Sequence, residues 1–244
     1  MAEDAAGNPI RGSGAEHARS KKSRRVVPRS PRGKKEAEVT AALQDMEDHL
    51  GPFRMVDWLS LPEREDGSRV ELIFGELCVS PLPAMHHQFV GDELRELLKH
   101  TFRTAGRSDL YVVTAVGTEL GVELRNCFIP DIVVIDMPPV GHVVGAKNLV
   151  MAVEVWSPGN TPKKRDEKMR GYAAAGVPYL WTVEFQKPER QTQDPPSLVD
   201  TLTVTAYQLK NGRYILESVA RVGETATITA APVPVMFDPD DLLP

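Results

Sequence analysis

Apolar positions along the chain repeat with two different periods. Val90, Leu94, Leu97 and Leu98 recur at helical spacing and predict a helix from about Met85 to Thr104, with Gly106 as its stop. Shorter β-rich runs predict strands at Arg69–Phe74 and Leu77–Pro81 around a turn at Gly75, and a hairpin from Tyr111–Val116 to Gly121–Leu124. Further runs follow at Phe128–Ile135, Leu149–Trp156 and Tyr179–Phe185. Between the last two, Thr161 is a natural N-cap and Pro162 suits the first helical position, so a second helix should run to about Ala175 and end at Gly176. Asn211-Gly212 predicts a tight hairpin between Leu202–Leu209 and Tyr214–Val219, with short strands near Thr225–Thr229 and Val233–Phe237 after it. Two short helices, 39–49 and 55–59, should form a lid or brace at the start. This order of elements predicts an α/β (α+β) fold with a central mixed β-sheet flanked by helices.

Composition divides the chain. Residues 1–38 hold ten Lys and Arg against five Asp and Glu and few large apolar side chains, so a disordered basic arm is expected there. Its run Lys21-Lys22-Ser23-Arg24-Arg25 reads as a solubilising tail, or as a contact for nucleic acid or an acidic partner. Residues 39–244 form the expected domain, with a core at about 55–185 and C-terminal strands at 199–237. The net charge of the whole chain is −5, so the body is acidic, which works against unaided phosphate binding. No apolar run approaches the roughly 20 residues of a membrane span, and no membrane partner is expected. The start shows no signal-peptide pattern. Cys78 and Cys127 stand alone, without metal or redox spacing. A cytoplasmic location is the simplest expectation. No GxGxxG or Walker loop follows a strand, which argues against a doubly wound nucleotide-binding fold.

The chemistry is concentrated between Pro130 and Glu184. Two apolar strands there each carry one carboxylate, Asp131 in Pro130–Ile135 and Glu154 in Leu149–Trp156. A buried ionised carboxylate is costly unless it is paired or bound to a metal, so two of them suggest a shared cation. Alternation puts Ala152, Glu154 and Trp156 on one face. If Asp131 ends its strand beside Glu154, the pair offers hard oxygen ligands for Mg²⁺ or Mn²⁺. Hydrolysis of a phosphodiester is then the natural reaction. A serine hydrolase built on Ser157 and His142 lacks the G-x-S-x-G elbow.

These residues resemble the Uma family of restriction-endonuclease-like proteins, within the PD-(D/E)XK nuclease superfamily. The resemblance runs from about Met55 to Leu243. It is carried by Glu71-Leu72-Ile73-Phe74-Gly75-Glu76-Leu77, His87, Pro130-Asp131-Ile132-Val133-Val134 and Val153-Glu154-Val155-Trp156-Ser157-Pro158. It continues in Lys168, Tyr172, Ala175-Gly176-Val177-Pro178 and Trp181-Thr182-Val183-Glu184. The resemblance implies a restriction-endonuclease-like fold in which Asp131 and Glu154 are metal ligands, with Glu76 completing the shell. It also implies that Lys168, from the following helix, replaces the motif lysine whose position is Trp156 here. Tyr172 lies one turn beyond Lys168 and can share its face.

Each role has a structural rival. Asp131 after Pro130 could cap a turn; Lys168 could belong to a solvated face with Lys163, Lys164 and Arg165; Glu76 could be a hairpin-edge glutamate. His87 could contact substrate, or cap or pack its helix. Trp156, Trp181 and Tyr172 read as core aromatics. The expected activity is a Mg²⁺- or Mn²⁺-dependent endonuclease acting on DNA. The alternative is a catalytically inactive module of the same fold that binds nucleic acid or a protein partner, and RNA is a third substrate. A homodimer is expected if both strands of a duplex are cut.

Overall fold

The computed structural model describes residues 52–62, 64–121, 123, 125–157, 159–185 and 202–244. The basic arm, the helix expected at 39–49 and the loop expected at 186–197 lie outside the described residues. Three α-helices are described: α1 (Met55–Leu59), α2 (Met85–Thr104) and α3 (Pro162–Ala174). None is both long and apolar enough to cross a membrane.

A six-stranded mixed sheet is the centre of the molecule. Its strands are β3 (Tyr111–Thr114), β6 (Ile132–Ile135), β8 (Leu149–Trp156), β9 (Tyr179–Phe185), β10 (Leu202–Lys210) and β11 (Arg213–Arg221). They lie in the order β11-β10-β9-β8-β6-β3. Only β8 and β9 in this sheet pair in parallel, and α3 is the crossover that joins them. This confirms the expected central mixed sheet.

A second sheet was not foreseen. It has five strands in the order β2-β1-β5-β4-β7. The strands are β1 (Arg69–Ile73), β2 (Glu76–Ser80), β4 (Gly117–Glu119), β5 (Cys127–Phe128) and β7 (Val143–Gly145). Among the described residues the hairpin expected from Tyr111–Val116 to Gly121–Leu124 is not found. Instead β3 pairs with β6, and the chain turns at Ala115, in the left-handed region at φ 53°, to place β4 in the other sheet. The run expected as one strand from Phe128 to Ile135 is likewise divided. Pro130 cannot donate to a ladder, and the chain passes there from β5 in the second sheet to β6 in the central one. A small third sheet, β12 (Ala226–Ile228) with β13 (Val235–Phe237), closes the fold.

The turns follow their residues. Asn211 and Gly212, both at positive φ, make the β10–β11 hairpin. Phe74 and Gly75 do the same between β1 and β2, where a non-glycine residue at φ 49° is anchored by its N–H donating to Asn126 Oδ1. The short helix α1 braces β1: the Trp58 indole donates to the Val70 carbonyl at 2.7 Å.

The central sheet has a core on each face. On one, Met151, Val153 and Val155 of β8 meet Val90, Leu94, Leu98 and Phe102 of α2. On the other, Ala152 of β8 joins Tyr172 of α3, Phe128 of β5 and Ile73 of β1. Glu154 falls on this second face by alternation, between the helix that carries Lys168 and the second sheet. The site is a consequence of that placement.

Candidate active site

Seventeen residues line a cavity of about 130 Å³ where the two sheets and α3 converge, among them Arg69, Glu71, His87, Asp131, Glu154, Lys164 and Lys168. Most of these side chains arrive from strands or helices, and Asp131 from the residue just before β6. In β1, Arg69 and Glu71 are two residues apart and so share a face. Asp131 precedes β6, whose Ile132 lies opposite Val153, so its carboxylate meets the end of β8. Lys168 and Tyr172 sit one turn apart on α3, and Thr161 caps that helix by accepting from the Lys164 N–H.

Lys168 is the hub. Its ammonium lies 2.9 Å from Glu71 Oε1 and 2.6 Å from Glu154 Oε1. It also lies 5.6 Å from the Phe128 ring centroid and 5.8 Å from that of Trp156. Burial disfavours its charge, but Glu154 and Glu71 outweigh this and raise its pKa above the usual lysine value. The residue is therefore held as the ammonium. Tyr172 donates its hydroxyl to Glu154 Oε1 at 2.5 Å, and burial beside Glu154 keeps the phenol protonated. Ile129 donates its N–H to Glu71 Oε1 at 2.7 Å. Glu154 is 3% exposed. Burial, followed by the charges of Glu71 and Asp131, raises its pKa to about 7 against the pull of Lys168.

Asp131 is held differently. Its Oδ2 accepts the Val155 N–H at 2.8 Å, with His87 Nε2 at 3.5 Å, while Oδ1 pairs with Arg69 Nη1 at 2.9 Å. Burial alone would raise its pKa, but the His87 contact and the Val155 N–H lower it below the ordinary value, so Asp131 stays ionised. His87 Nε2 is also 2.8 Å from the Val155 carbonyl, an acceptor only, which fixes that nitrogen as a donor. Burial opposes charge on the imidazole, yet Asp131 raises its pKa overall. His87 thus ties α2 to the strand end that positions Asp131. It does not cap α2, whose N-cap is Ala84.

The structure therefore brings Asp131, Glu154, Lys168, His87 and Tyr172 together, but not Glu76. Glu76 is exposed on β2, opposite Ile73, and does not line the cavity. The third carboxylate is Glu71, which sequence reasoning missed. The signal was present: Glu71 is the single acid in the buried run Val70-Glu71-Leu72-Ile73, the same pattern that singled out Glu154. The solvated-face reading of Lys168 is overturned, since it is 4% exposed. Lys163 does lie at the surface, while Arg165 pairs with Glu184 at 2.5 Å and stands 5.5 Å from the Trp156 ring centroid. Trp156 fills the motif-lysine position as a buried aromatic. Ser157 lines the cavity with its hydroxyl donating to Asn160 Oδ1, and exposed His142 lies away from it.

The helix approaches closely because residue 171 is glycine. A Cβ there would stand 2.5 Å from Phe128 Cζ, in a ring with no exposure. Gly171→Ala is expected to cost about 1–3 kcal/mol from overpacking, against roughly 1 kcal/mol gained in helix propensity. Urea denaturation should show a net loss of stability; an unchanged or higher midpoint would contradict this packing.

The carboxylates suit a hard divalent cation by donor type. None of the bonds described above uses Oε2 of Glu71 or of Glu154. As placed, however, Lys168 and Arg69 occupy the other oxygens, and among the described residues no group of three or more His, Cys, Asp or Glu is gathered tightly enough to hold an ion. The donor set fits a metal, with cations of the chain itself now satisfying part of it.

Comparison with known proteins identifies the family. The model of the Uma2 family, described as "Putative restriction endonuclease", matches residues 55–235. A solved structure described as a putative nuclease belonging to DUF820, from Anabaena variabilis, is similar with a TM-score of 0.55 and 18% identity. The alignment covers 78% of this chain and 97% of that one, a likeness of fold. No curated protein matches.

Proposed function

Because the chain belongs to the Uma2 family, described as "Putative restriction endonuclease", we propose that it is a Mg²⁺- or Mn²⁺-dependent endonuclease acting on DNA. The observation that carries this reading is the convergence of Glu71, Asp131 and Glu154 on one cavity with a buried lysine between two of them. Asp131 and Glu154 would hold the metal, with Glu71 rather than Glu76 as the third acid. When bound, such an ion lowers the pKa of a coordinated water and offsets charge on phosphoryl oxygens. Lys168 is an ammonium, so it acts by charge and by donating hydrogen bonds, never as the base. Fixed between two carboxylates, it stabilises the negative charge that builds at phosphorus without reorganising. Tyr172 and the Ile129 N–H hold Glu154 and Glu71 in place, and His87 with the Val155 N–H does the same for Asp131.

Trp156 standing where the motif has lysine speaks for the inactive module. Lys168 supplies that positive charge from α3, over the Trp156 ring, which favours an active site. The acidic body is answered locally: Arg69, Lys164 and Lys168 line the cavity among the carboxylates. A homodimer, the arrangement suited to cutting both strands, is part of the same proposal.

The test is incubation of the purified chain with supercoiled and linear DNA in Mg²⁺, Mn²⁺ or EDTA, beside Asp131→Asn from the same purification. Nicking that needs metal and is lost in the variant is the expected result. Cutting that persists in EDTA, or equally in the variant, contradicts it.

A further inference from the structure

We propose that Arg69 and the divalent cation compete for Asp131, and that the displaced guanidinium then holds a phosphate of the bound nucleic acid. The inference rests on the nuclease reading and adds to it a phosphate-binding residue and an order to the site's occupancy.

The two oxygens of Asp131 are held by unlike groups. Oδ2 is fixed by a strand N–H of β8 and faces His87 of α2, groups that cannot leave without disturbing the packing of either element. Oδ1 is paired with a side chain that can swing: Arg69 opens β1 and its side chain is 23% exposed, against 5% for that of Lys168. Asp131 therefore keeps its position when Arg69 departs, and Oδ1 is the oxygen freed for a cation.

Charge decides which group moves. Arg69, Lys164 and Lys168 line the cavity together with Glu71, Asp131 and Glu154, three formally cationic side chains against three carboxylates. A divalent ion entering this balanced set meets a guanidinium already on its ligand. Arginine cannot give up its proton in a protein, so it cannot relieve the conflict by neutralising and must move instead. Lys168 is enclosed between Glu71 and Glu154, which leaves Arg69 as the mobile cation. Released from Asp131 but still anchored on β1 at the cavity wall, its planar fork matches a phosphate diester in shape and charge. Metal and nucleic acid should consequently favour each other's binding, since each takes one partner of the Arg69–Asp131 pair.

The experiment measures Mn²⁺ binding to the full chain by the electron paramagnetic resonance of the free ion, without nucleic acid. The proteins are wild type, Arg69→Gln, Arg69→Lys and Asp131→Asn, each with its fold checked by circular dichroism. Arg69→Gln should bind Mn²⁺ about tenfold more tightly than wild type, the size expected when one charge-assisted hydrogen bond no longer has to be broken. Arg69→Lys, which keeps the charge but not the fork, should fall between the two. Binding of a short DNA duplex in Ca²⁺, followed by fluorescence anisotropy, should weaken by about tenfold in Arg69→Gln. If Mn²⁺ binds wild type through Asp131 and Arg69→Gln binds it no more tightly, the competition is refuted while the nuclease reading stands. If neither wild type nor Arg69→Gln binds Mn²⁺, the metal reading fails and this inference falls with it.

Discussion

Replacing Lys168 with methionine is expected to destabilise the fold by about 3–5 kcal/mol near neutral pH, the cost of stranding buried carboxylates without their cation. Glu71 and Glu154 both lie within hydrogen-bond distance of its ammonium, and both are buried. Methionine fills much of the same volume, so the loss reports charge more than packing. The pH dependence carries the diagnosis. In the wild type Glu154 already has its pKa raised to about 7, so the folded state binds more protons than the unfolded chain between the ordinary value of 4.5 and about 7. That contribution makes stability fall as pH rises through this window. Without Lys168 the folded carboxylate is pushed further up, the window widens, and the deficit relative to wild type should shrink on acidification. Lys168 contributes with the same sign in a separate window: its folded pKa is raised, so its stabilisation is complete below the unfolded lysine value of 10.5 and is lost only above it. Denaturant titrations of both proteins at pH 5 and pH 8 would check this. Equal deficits at the two pH values would contradict it.

Glu71→Gln should reduce metal-dependent cleavage by about 10²–10³, the range seen when one preorganised electrostatic contact to a reacting centre is removed, whereas Glu76→Gln should leave the rate unchanged. Glutamine keeps an oxygen for the Ile129 N–H, so Glu71→Gln should fold. What it removes is a charge beside Lys168 and a donor facing the cavity. Glu76, exposed at the start of β2, has no route to the reaction. The discriminating readout is single-turnover cleavage of one DNA substrate by wild type and the two variants. If Glu76→Gln is the impaired protein, the third carboxylate has been misassigned.

This contrast marks how far the sequence could be read. The spans of α2, β8 and β9 follow from apolar periodicity and end at the expected residues, because each is a regular element whose buried face dominates its composition. Asp131 and Glu154 were legible for the same reason: a lone acid in an apolar strand is costly, and that cost shows without coordinates. Glu71 obeys the identical rule, but Glu76 sits five residues on beside the turn glycine and drew the assignment away from it. Between acids so close in sequence, only the side a side chain faces decides, and that depends on how β1 pairs with β5 in a sheet the pattern did not reveal. The second sheet was hidden because several of its strands are two or three residues long, too short for a period to register. Arg69 was hidden for a different reason. An arginine at the start of a strand is ordinary, and its partner lies 62 residues away in sequence. The close approach of α3 at Gly171 was equally invisible, since nothing local distinguishes that glycine from a tolerated one.

The central claim is that Glu71, Asp131 and Glu154 form one divalent-cation site. The measurement that tests it most directly is the anomalous scattering of Mn²⁺ in crystals of the protein grown or soaked with that ion. The expected result is a Mn²⁺ peak bonded to Glu71, Asp131 and Glu154 with Arg69 withdrawn from Asp131. No peak at these carboxylates, at a Mn²⁺ concentration that supports DNA cleavage in solution, would contradict it.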